Sequence, residues 1–289
     1  MNAPVAPPSV MPPGSVPPTA AELEQIAAIA HTEAGIVISP GKGSMVQSRL
    51  AKRLRALGIS DYGSYLDYVR SDAGREERQR MISQLTTNVS HFFRENHHFE
   101  IFRDKVLPEL AARAKSGGRV RLWSAGCSNG QEAYSMAMTV LEALPDAHQR
   151  DVRILASDID PMVVARGRAA EYDAQTVSPV PEAMRRKYLE PAGANYRLCA
   201  AARALVTFRE LNLHAAWPMK GKFDAIFCRN VVIYFDPPAQ AALWQRFGGA
   251  LAPGGWLFVG HSERVPAGPG TPFDTAGITT YRLRGGTPQ

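Results

Sequence analysis

Cysteine is scarce in this chain of 289 residues: Cys127, Cys199 and Cys228 stand far apart and none belongs to a CxxC pair. That spacing excludes a disulfide framework and a structural zinc site of the common ligand pattern. No apolar run approaches 18 residues, which argues against a membrane-spanning helix. The residues after Met1 are rich in proline, where a secretory leader would be basic and then apolar. The expected compartment is the cytoplasm, with no insertion into a membrane. Acidic residues are missing between Ala34 and Ser60, although Lys42, Arg49, Lys52, Arg53 and Arg55 all fall there.

What is present is ordinary for a folded chain, with 45% hydrophobic and 21% charged residues. The 33 Lys and Arg exceed the 27 Asp and Glu by +6, a balance that suits an anionic partner of some kind. Nucleic acid is not that partner on this reading, because the basic segment 42–57 carries no aromatic residue on which a base could stack.

Residues 1–18 hold seven prolines and no apolar period, and they read as a disordered tail. Thr19 and Glu22 have the spacing of a capping box, and a helical period then runs to Gly35. Val46, Leu50, Leu54 and Leu57 predict a second helix with the basic residues on its remaining arc. Further helices are expected around Tyr62–Val69 and Met81–Leu85, so 19–92 is read as a helical domain. After Gly117-Gly118 the pattern changes. Short β-prone runs at 120–123, 152–156, 223–228 and 256–260 alternate with helical stretches at 132–144, 161–170 and 239–251. Alternation of this kind predicts a parallel sheet covered on both faces over 93–289. The stretch 172–205 is expected to make a small antiparallel excursion.

In such a sheet, ligands bind at the carboxyl ends of the strands. The first strand runs into Ser124-Ala125-Gly126-Cys127-Ser128-Asn129-Gly130, a turn of small residues that either receives a ligand at the next helix's free amides or is simply sharp. It lacks the GxGxxG of a dinucleotide cradle, and hydride transfer from a nicotinamide is disfavoured with it. The second strand ends at Asp158, positioned to accept ribose hydroxyls, while Asp160 precedes Pro161 and is assigned as the helix cap. Arg229 and Asn230 follow a buried strand directly, a costly placement in a core and a sensible one beside a ligand. His91, His97 and His98 match no common metal spacing, and no metal site is expected.

The runs TTNVSHFFRENHHF, WSAGCSNGQEAYSMAM, ILASDID, FDAIFCRNVVIYFD and GHSE occur in an order that resembles CheR, the chemotaxis receptor glutamate methyltransferase family. The resemblance covers roughly 20–285. It implies a Rossmann-like, S-adenosylmethionine-dependent methyltransferase domain of α/β class, with a small antiparallel β-subdomain inserted at 172–205 and an all-α bundle before it. It implies methylation of glutamate side chains on the cytoplasmic helices of chemoreceptors, with S-adenosylhomocysteine as product; a monomer is expected. By the same resemblance the cofactor contacts fall on Asn88, Ser90, Arg94, Glu132, Asp158, Asn212, Leu213, Cys228 and Arg229, and Arg94 and Tyr234 lie close to the transferred methyl. Ser90 stands where a Thr is usual, and Gln131-Glu132-Ala133 where Glu-Glu-Pro is usual. The basic face of Arg49, Lys52, Arg53 and Arg55 becomes a candidate dock for Glu-rich receptor helices. A signalling protein that senses the cofactor without catalysis is the alternative from a different class.

Overall fold

The computed structural model describes residue 14, residues 16–86 and residues 88–285. The tail expected over 1–18 therefore lies outside the described residues except for Gly14 and 16–18, of which Pro18 is buried. The chain divides into two compact units, the first ending at residue 87 and the second starting at residue 88. The segment 88–92, grouped with the helices from sequence, belongs to the second unit because Phe92 is in its core and Ser128 Oγ donates to the carbonyl of Asn88 at 3.1 Å.

The first unit holds α1 (Ala20–Ala34), α2 (Gly43–Leu57), α3 (Tyr62–Arg70) and α4 (Arg75–Leu85). The capping box forms as its spacing predicts: Glu22 N donates to Thr19 Oγ1 at 3.3 Å, Thr19 N donates to Glu22 Oε2 at 2.7 Å, and Gly35 closes the helix at φ 69°. Ile26, Val46, Leu50, Leu54, Tyr65, Val69 and Met81 are buried between the helices. Arg49 Nη1 donates to the carbonyls of Leu85 and Thr86 at 2.7 and 2.9 Å, covering acceptors that the end of α4 would leave free.

The second unit opens with α5 (His97–Ile101), a π turn at Phe102–Val106 and α6 (Leu107–Lys115). Then come β1 (Val120–Ala125), α7 (Gln131–Ala143), β2 (Val152–Asp158) and α8 (Pro161–Ala169). The insertion follows as β3 (Glu171–Tyr172), α9 (Ala174–Val177), α10 (Glu182–Tyr188), β4 (Leu189–Ala192), β5 (Asn195–Leu198) and α11 (Ala200–Leu205). The chain continues through β6 (Val206–Glu210), β7 (Phe223–Cys228), α12 (Pro237–Ala250), β8 (Leu251–Val259), β9 (Phe273–Gly277) and β10 (Thr280–Leu283).

Seven strands form one sheet in the order β6-β2-β1-β7-β8-β10-β9. The first five are parallel, and β10 and β9 add an antiparallel edge. The insertion makes its own three-stranded antiparallel sheet, β3-β5-β4. Alternation along the strands divides the core in two: Leu122, Phe227 and Phe258 pack in one cluster, and Trp123, Ile226 and Leu257 in the other. Pro253-Gly254-Gly255 lies within β8, where Gly254 takes φ 73°. Leu251 already pairs with Phe223, and because Ala225 next pairs with Trp256, the three extra residues bulge out of β8.

Candidate active site

Strand order reverses at β1, whose neighbours are β2 on one side and β7 on the other. The crevice at such a reversal, outside the carboxyl ends, is where open α/β sheets bind ligands. Backbone strain gathers there. Of the six non-glycine residues with positive φ among those described, Phe93, Glu95, Ser128 and Asn230 lie on the segments lining these ends. Gly126, at φ 80°, lets the β1–α7 turn pass Val231 so closely that a Cβ would stand 2.3 Å from Val231 Cγ2.

At the end of β2, Asp158 is buried. Its Oδ2 accepts from Ser128 N at 2.8 Å and its Oδ1 from Asp160 N at 3.0 Å. Burial pushes this carboxyl up to about 6 despite those amides. Asp160 caps α8 by accepting from Met162 N at 2.9 Å, as its place before Pro161 predicts. Its other oxygen accepts from Asn88 Nδ2 at 2.9 Å.

At the end of β7, Arg229 is buried with its guanidinium 3.4 Å from carboxylate oxygens of both Glu95 and Glu132, and it donates to the carbonyl of Arg94. Glu132, in the first turn of α7, also accepts from Ser124 Oγ at 2.6 Å. Burial raises the Glu132 carboxyl, with Arg229 opposing. Burial works the same way on Glu95, but Arg229 and His261 outweigh it and bring that carboxyl below its usual value. The buried His98 is driven down to about 3, mainly by desolvation and then by Arg229, and it is neutral at physiological pH.

The structure thus joins Asn88, Arg94, Glu132, Asp158 and Arg229 through hydrogen bonds at the ends of β1, β2 and β7. Ser90 is half-buried on the same segment as Asn88 and Arg94, and Cys228 is buried at the last position of β7. Asn212 and the buried Leu213 follow β6, where Arg246 Nη1 donates to the Leu213 carbonyl at 2.6 Å. Tyr234 is half-buried at the end of a 3₁₀ turn, Val232–Tyr234. Arg49, Lys52, Arg53 and Arg55 belong to the first unit. There Lys52 and Arg55 are exposed, whereas Arg53 turns inward to Glu77. Among the described residues no group of three or more His, Cys, Asp or Glu could hold a metal ion, and no helix is long and apolar enough to cross a membrane.

Sequence reasoning assigned no role to Glu95 or Glu263. Both lay inside quoted motifs; for Glu263 the available signal was a carboxylate placed just after a buried strand, and Glu95 gave no such signal. Two acceptors beside β1 and α7, Asn129 Oδ1 and Gln131 Oε1, are buried with no hydrogen-bond partner. Asp158 and Glu132 are buried carboxylates at these strand ends, and acceptors of that kind suit a ligand bearing hydroxyl and ammonium donors. S-adenosylmethionine has that character.

This sheet, with buried carboxylates at the strand ends beside its reversal point, is of the open α/β class that binds nucleotide-like ligands there. Residues 88–282 match the family described as CheR methyltransferase, SAM binding domain, and residues 21–86 match CheR methyltransferase, all-alpha domain. A "Probable chemotaxis protein methyltransferase" of Rhizobium etli is 52% identical over 256 residues, covering 87% of this chain and 96% of that protein. The "Chemotaxis protein methyltransferase" of Escherichia coli is 40% identical over 248 residues, 84% of each chain. The chain belongs to the CheR methyltransferase family.

Proposed function

We propose that this protein transfers a methyl group from S-adenosylmethionine to glutamate side chains of chemoreceptors, leaving methyl esters and S-adenosylhomocysteine. The observation that carries the reading is how the segment 88–95 ties together three strand ends. Asn88 bonds to Asp160 beyond β2 and accepts from Ser128 beyond β1, and the Arg94 carbonyl accepts from Arg229 beyond β7. A segment so anchored holds the Arg94 backbone at the end of β7 without relying on a flexible loop.

In this reading Asn88, Ser90, Arg94, Glu132, Asp158, Asn212, Leu213, Cys228 and Arg229 hold the cofactor, with Asp158 accepting from the ribose hydroxyls. When bound, S-adenosylmethionine supplies a sulfonium-activated methyl: a substrate carboxylate oxygen bonds to the methyl carbon, the carbon–sulfur bond breaks, and its electron pair stays on sulfur. A glutamate has an ordinary pKa near 4.3, so it arrives ionised and no base has to remove a proton. The task left to the protein is alignment, which can contribute about 7–11 kcal/mol. Arg94 pairs with the incoming carboxylate, and Tyr234 orients it and shapes the methyl pocket. Lys52 and Arg55 meet the acidic receptor helices in the cytoplasm, where complementary charge speeds encounter more than it adds affinity, while Arg49 and Arg53 on the same helix are engaged by the Leu85 and Thr86 carbonyls and by Glu77.

The test is incubation with radiolabelled S-adenosylmethionine and candidate receptor fragments, followed by peptide mapping. Base-labile label on glutamates is expected, and Arg94→Ala and Tyr234→Phe should each slow its appearance at saturating cofactor. Cofactor binding without label on any fragment would favour a sensing role. Full turnover by both variants would remove Arg94 and Tyr234 from the reaction.

A further inference from the structure

Glu263 is buried, 3% exposed, and it accepts four backbone amides. Its Oε1 takes Val231 N and Val232 N, each at 2.8 Å, and its Oε2 takes Asn230 N at 2.9 Å and Gly260 N. Three of the donors are consecutive. Asn230, at φ 60°, turns the chain so that its amide and the next two converge on one point, the geometry of an anion-binding nest. Desolvating a carboxylate is costly unless its acceptor sites are used, and here the four amides use them.

The clamp joins the chain beyond β7 to the chain beyond β8. The fit is close on both sides, since a Cβ on Gly260 would lie 2.7 Å from Asn230 N. Val232, the last residue clamped, begins the 3₁₀ turn that ends at Tyr234. Gln240 Nε2 holds the carbonyls of Val232 and Phe235 at 3.0 and 2.9 Å. The turn carrying Tyr234 is thereby fixed at its amides by Glu263 and at its carbonyls by Gln240. Arg229 is anchored differently, on Glu95, Glu132 and the Arg94 carbonyl.

We infer that Glu263 is a positioning residue for methyl transfer, setting Tyr234 through the 230–232 turn and leaving the cofactor contacts to other anchors. The inference rests on the role given to Tyr234 above. Glu263→Gln puts an NH2 group where a carboxylate oxygen accepted two amides, so the turn loses its register while the side-chain volume is kept.

The experiment measures S-adenosylmethionine affinity by calorimetry, and methyl transfer to a receptor fragment at saturating cofactor, for the full chain and its variants. Glu263→Gln should lower kcat about tenfold to a hundredfold, with cofactor Kd and receptor KM changed by less than about threefold. In a Tyr234→Ala background the same substitution should cost almost nothing more, because its effect passes through that ring. If Glu263→Gln does not fold, Gly260→Ala presses on the same turn and should give the same kcat-selective loss. Equal losses from Glu263→Gln with and without Tyr234, or a rise in cofactor Kd with kcat unchanged, would overturn the inference and leave the role of Tyr234 standing. Full turnover by Tyr234→Ala would instead remove the role of Tyr234, and the inference with it.

Discussion

Arg53 and Glu77 form a two-point ion pair inside the helical unit: Nε donates to Oε1 at 2.9 Å and Nη2 to Oε2, with the Glu77 side chain only 2% exposed. The Tyr65 hydroxyl donates to the same Oε1 at 2.9 Å. Removing one partner of a buried pair strands the other charge away from water. Glu77→Gln should therefore destabilise this unit by about 2–4 kcal/mol, somewhat less than for a fully enclosed pair because Arg53 keeps some exposure. Thermal unfolding checks this; an unchanged midpoint would mean the pair contributes nothing.

The same contact divides the basic face of α2. Lys52 and Arg55 are exposed, so Lys52→Glu and Arg55→Glu should leave the unfolding midpoint in place. They should raise the receptor KM by about three- to tenfold at low salt, with the difference shrinking toward 1 M salt as screening shortens the reach of the charges. Arg49→Ala should lower the midpoint, because it uncovers the Leu85 and Thr86 carbonyls. A KM indifferent to Lys52 and Arg55 at every salt concentration would make α2 an ordinary solvated helix.

Cofactor affinity should depend on pH through Asp158. Its folded-state carboxyl is raised to about 6 by burial, against an ordinary 3.8. Ribose hydroxyls donate to the ionised form, so binding must expel the proton wherever the carboxyl is protonated. Affinity should be level above about pH 7 and fall toward tenfold per pH unit below about 6. The sign for stability is opposite: the raised pKa means the folded protein holds the extra proton between about 4 and 6, so this group's contribution to stability declines as pH rises through that window. Calorimetry from pH 5 to 8 should show the loss of affinity, and Asp158→Asn should bind more weakly with a flatter profile.

Much of this was legible in the sequence for identifiable physical reasons. Period and caps announced α1, α2 and α8, because Thr19, Gly35 and Asp160 act through local hydrogen bonds that depend on spacing alone. Strand ends next to polar residues announced Asp158 and Arg229 for the same kind of reason. The partners of those residues were hidden, since they come from far along the chain: Glu95 and Glu132 reach Arg229 across 134 and 97 positions of sequence. Composition likewise showed a basic α2, but whether a given arginine faces water or a buried glutamate is decided by packing against α4.

Arg229 offers the sharpest separation of charge from packing. Its side chain is 2% exposed between two carboxylates, so Arg229→Met keeps most of the apolar volume while leaving Glu95 and Glu132 facing each other without a cation. The cost should be about 3–5 kcal/mol at neutral pH, the range for breaking a buried ionic cluster from one side. Glu95 is held below its usual pKa largely by Arg229, so that part of its stabilisation, present above the unfolded value, disappears in the variant. Glu132 is already raised by burial and would rise further once the opposing guanidinium is gone. As pH falls both carboxyls take up protons in the variant, the repulsion ends, and the stability gap from wild type should narrow between pH 8 and 5. Adding Glu132→Gln should recover part of the loss at neutral pH and little of it at pH 5. Denaturant unfolding at several pH values checks both statements; a gap independent of pH, with no recovery from Glu132→Gln, would mean that the guanidinium acts through its shape and contacts and not through its charge.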